Sequence, residues 1–95
     1  MKKSDAKAAV GKIWALVYRS SQITLSPQQE DELESAITDL GKSIDGDDLA
    51  DRRASFVCEC AHMHLAALRA IPPRKPHGTE GLVQDCERLS KLLDQ

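Results

Sequence analysis

The sequence predicts an all-α protein, a compact four-helix bundle forming one domain over residues 1–95. Three observations carry that expectation. Apolar residues recur at three- and four-residue spacing in four segments, no segment alternates apolar and polar residues as a half-buried strand does, and the connections are short and rich in Ser, Asp, Gly and Pro. A chain of this length supports a single core, burying under about 70% of its unfolded surface.

The first helix is expected at about 4–20, capped by Ser4, with Ala6, Ala9, Val10, Ile13, Trp14, Leu16 and Val17 as its stripe. Ser26 precedes Pro27 and stands three residues before Gln29, a capping box with proline at the first helical position, so the second helix is expected over 27–40. Leu33, Ala36, Ile37 and Leu40 line it, and Gly41 suits a left-handed C-cap. The third, at 47–70, opens after Asp45 or Asp47 as cap and stops before Pro72 and Pro73. The fourth, at 79–93, has Thr79 as cap and Leu82, Val83, Cys86, Leu89 and Leu93 as a seam.

Breadth of the apolar face distinguishes these helices. At about 100° per residue the second and fourth carry stripes of roughly 100 to 120°, whereas the apolar residues of the third cover about 200°. The third helix is therefore expected to be central, wrapped by the other three or by those of a second copy, and a homodimer is expected.

Net charge is −2 with acids and bases interspersed, so no global field draws the chain to nucleic acid or an anionic membrane. Gly11 and Lys12 interrupt the first apolar run before it reaches the length of a signal core or a membrane span. Three cysteines, an odd number, argue against a disulfide framework, and a soluble, cytoplasmic protein is expected.

The densest chemistry lies in CECAHMH, Cys58 to His64. On one helix Cys58 and His62 share one side, and Cys60 and His64 share the nearly opposite side. A tetrahedral metal needs four converging ligands, so either pair needs further donors, from Cys86, from His77 or from a second chain. A metal-binding or metal-sensing dimer built on Cys58, Cys60, His62, His64 and Cys86 is the alternative reading. Cys60 and His64 fall in the apolar arc with Phe56, Val57, Ala61, Leu65, Leu68 and Ile71, where a buried imidazole requires a hydrogen-bond partner. Arg53, three turns earlier at nearly the same angle, must pair with a carboxylate, reach water or face a partner. The favoured reading of the cluster is structural, with no metal and no cofactor.

Other motifs fail on their own spacing. Gly41-Lys42-Ser43 resembles the end of a phosphate loop, but Ala36 stands five positions before Gly41 and a helix leads into it. An EF-hand count from Asp45 places Ala50 at the glycine position and Phe56 at the glutamate position. The acids Glu30, Asp31, Glu32 and Glu34 suit the positive end of a helix dipole as a solvated face. No glycine-rich turn accompanies a cysteine–histidine pair, so an enzyme is not expected. Nucleic-acid binding through the basic 72–77 linker with Arg52, Arg53 and Arg69 is a further alternative, weakened by having only Trp14, Tyr18 and Phe56 for stacking. What remains is recognition of another protein. Trp14 and Tyr18, one turn apart at the edge of the first stripe, are residue types favoured at binding hot spots, with Arg53 and His64 as the candidates for specificity.

Overall fold

The computed structural model describes residues 1–95 and contains four α-helices and no strand: α1 (Lys3–Ser20), α2 (Pro27–Lys42), α3 (Leu49–Arg69) and α4 (Thr79–Leu93). Successive helices pack side by side and α1 also packs on α4, which closes a four-membered ring. Across it α1 touches α3, whereas α2 and α4 do not meet, so α3 shares the central position with α1.

The core is assembled from one face of each helix. Ile13, Leu33, Leu40, Val57, Cys86 and Leu89 are completely enclosed, with Ala6, Ala36, Ala54 and Ala61 letting the helices approach. Each enclosed leucine contributes about 1.5–3 kcal/mol by leaving water, which in a chain this short makes every one consequential. No helix is long and apolar enough to cross a membrane.

Helix ends follow local hydrogen-bond chemistry, and several differ from the sequence expectation. Ser26 caps α2 as expected: its hydroxyl accepts from the Gln29 amide at 3.1 Å while the Gln29 side chain accepts from the Ser26 amide at 2.9 Å. The cap of α3 is Asp48, not Asp45 or Asp47. Asp48 accepts from the Asp51 amide at 2.9 Å and Asp51 returns the bond at 3.3 Å. Asp47 has Ala50 at the reciprocal position and offers no such exchange.

Helix α2 runs past Gly41, which does not adopt a positive φ, and ends at Ser43, whose hydroxyl donates to the Leu40 carbonyl at 2.6 Å. Ser4 lies inside α1, whose start is secured instead by the Lys2 amide donating to the Ser43 carbonyl at 2.8 Å. Thr79 is likewise the first residue inside α4. Gly78 precedes it in the left-handed conformation, φ 73°, which costs a glycine little because it has no Cβ. Between α3 and α4 the Ile71–Pro72 peptide is cis, and the Arg74 amide donates to the Ala67 carbonyl at 2.9 Å.

Candidate functional site

Helix α3 separates the Cys58–His64 cluster as its geometry requires. Cys58 faces α2, where its thiol donates to the Ile37 carbonyl at 3.6 Å. His62 is exposed, Cys60 is half-buried on the side toward α4, and Cys86 is fully enclosed. Burial pushes all three thiols up, Cys86 to about 12, the reverse of the depressed value that activates a nucleophile or redox sensor. No group of three or more His, Cys, Asp or Glu side chains comes together to hold a metal ion within one chain. One chain alone therefore brings together no set of three such ligands, and the metal alternative keeps the form in which it is expected, with donors from a second chain.

His64 is only 4% exposed. Its Nε2 lies 2.8 Å from the Ser20 hydroxyl, which itself donates to the Val17 carbonyl at 2.6 Å. With the Ser20 proton so committed, His64 Nε2–H is the donor, and Nδ1 is left with a buried lone pair and no partner. Burial lowers the imidazole's pKa and keeps it neutral. The side chain expected to give specificity to a partner contact is thus a polar strut between α3 and the end of α1. Sequence periodicity marked His64 as needing a partner, but no spacing rule reaches across forty-four residues to Ser20.

Beside His64 a shallow cleft lies between α3 and α4 under the 74–78 linker, with Arg74, Lys75 and His77 on one rim and Asp85 on the other. The further arginines expected to extend this basic surface are elsewhere. Arg69 is held by Glu34 and Asp31 at 2.8 Å each and by Glu30 at 3.5 Å. The acids of α2, expected as a solvated face, thereby tie the start of α2 to the end of α3. Arg52 and Arg53 sit in the first turns of α3, about 24 Å along the helix from Arg69. A continuous phosphate-tracking groove is not formed by these residues.

Two surfaces are apolar where water is expected. Trp14 and Tyr18 are 38% and 50% exposed and stack with ring centroids 5.5 Å apart and planes 8° from parallel. Trp14 borders a groove between α1 and α4 with Val10, Glu87 and Ser90. The second surface is the outer side of α3, where Leu49, Phe56 and Met63 are 49%, 53% and 74% exposed. Phe56 is expected in the buried arc, but the other three helices cover only the side of α3 carrying Ala54, Val57, Ala61, His64 and Leu65; Ile71, expected in the same arc, lies past the end of α3 at Arg69 and is exposed. The seven-residue recurrence of Leu49, Phe56 and Met63 is the signal that the width of the arc concealed. Arg53 is exposed and forms no ion pair within the chain, so it reaches water as one of its expected options.

Comparison of the chain with known protein families, curated proteins and solved structures finds no match.

Proposed function

We propose that the protein is a non-enzymatic interaction module that acts as an adaptor, inhibitor or regulatory subunit by engaging another protein through the α1 edge. The observation that supports this reading is the stacked, half-exposed Trp14–Tyr18 pair. Two aromatic rings already held against each other lose little conformational freedom on binding, and each presents a flat apolar face with a polar tip. Tryptophan, tyrosine and arginine dominate binding hot spots, and Arg19 is exposed next to Tyr18. Arg53 contributes charge on a separate surface, and His64 acts by fixing the end of α1 rather than by contact. The three free thiols suit a reducing compartment, and we place the protein in the cytoplasm.

The test is affinity capture from host extract with wild type and Trp14→Ala, each checked for cooperative melting. The reading requires a defined partner that Trp14→Ala fails to retain while melting cooperatively. Equal retention of every partner by the variant, or loss of its cooperative melting, sinks it.

A further inference from the structure

The exposed row on α3 has a neighbour. Leu49, Phe56 and Met63 point roughly 125 to 165° away from the middle of the buried face of α3, and the seven-residue spacing keeps them aligned over about 21 Å. Beside them on one flank run Arg52, Glu59 and Ala66, also at seven-residue spacing and all exposed. Neither Arg52 nor Glu59 takes part in an ion pair within the chain. An apolar row flanked by one free cation and one free anion a heptad apart is complementary to itself when reversed.

We propose that this face is covered by the same face of a second copy of the chain, the two α3 helices lying antiparallel about a two-fold axis beside Phe56. In an antiparallel helix pair the numbers of facing residues have a constant sum. Setting Phe56 against the partner's Phe56 places Leu49 against the partner's Met63, and Met63 against the partner's Leu49. Arg52 then falls within one residue, about 1.5 Å along the axis, of the level of the partner's Glu59. A two-fold perpendicular to both helices keeps each row on its own flank, so Arg52 and the partner's Glu59 meet on the same side, and symmetry makes the pair twice. A parallel arrangement puts the two charged rows on opposite flanks and forms neither pair. Charge complementarity therefore selects a second copy, and selects its direction. This interface does not depend on the Trp14–Tyr18 reading, which concerns a different face.

Sedimentation equilibrium of the reduced full chain, over concentrations that read dissociation constants from about 1 μM to about 1 mM, tests it. Wild type is expected to dimerise in this range. Phe56→Glu, which places two carboxylates at the axis, is expected to weaken the dimer by more than about thirtyfold while the protein stays folded. Arg52→Glu and Glu59→Arg are each expected to weaken it about tenfold, and the double variant is expected to return to within about threefold of wild type. A protein that stays monomeric throughout, a dimer indifferent to Phe56→Glu, or a double variant as weak as its parents overturns the proposal.

Discussion

His64 shows how a single residue sets both stability and its dependence on pH. Burial holds its pKa below the ordinary 6.5, so the unfolded chain takes up the proton first as pH falls. Its contribution to stability is complete above about pH 6.5 and drains away as pH drops through the lower folded value. The melting temperature is expected to fall more steeply from pH 7 to pH 5 in wild type than in His64→Leu, and parallel pH–melting curves contradict the assignment. Ser20→Ala leaves the imidazole N–H unpaired inside the bundle and is expected to cost about 1–3 kcal/mol in urea unfolding. The need for such a partner was legible in the position of His64 on the helix; the partner itself was not, because it comes from a distant turn. Trp14 was legible as an edge residue. Trp14→Ala is expected to lose less than half of what Leu33→Ala loses, the latter being about 2–5 kcal/mol as for other enclosed leucines. Equal losses measured by denaturant unfolding make Trp14 a core residue.

At the scale of elements, helix identity and approximate extent follow from periodicity, since each core stripe repeats at the helical spacing and no other regular structure fits it. The ends follow from hydrogen bonds that compete. Ser26 and Gln29 exchange bonds locally and were therefore readable, and Ser26→Ala is expected to cost about 1 kcal/mol in the same unfolding assay. The start of α1 depends on Ser43, forty-one residues away in sequence, and Ser4 gave no hint of it. Between elements, Arg69 binds three acids of α2 at the surface. Arg69→Met is expected to lower the melting temperature at low salt, with the difference shrinking as salt is raised; a salt-independent loss assigns the effect to packing of the arginine stem instead.

For the molecule as a whole, the ring of four helices follows from four amphipathic segments and short connections, which leave few other ways to bury the stripes. The faces left outside were harder to read. An apolar arc of about 200° on α3 signals that one bundle cannot cover it, but only the packed structure shows which part stays in water. Burial in this molecule is settled by how much of a helix its neighbours can reach, and the residues beyond that reach are where partners are to be sought. Trp14, the only tryptophan, carries the proposed partner contact and also reports on it. The measurement that tests this most directly is the ¹⁹F spectrum of protein labelled with 5-fluorotryptophan, recorded alone and in host extract. Binding through the α1 edge predicts that the single resonance shifts or broadens in extract and is restored by competition with excess unlabelled wild type but not with unlabelled Trp14→Ala. A resonance that stays sharp and unmoved in extract contradicts the account.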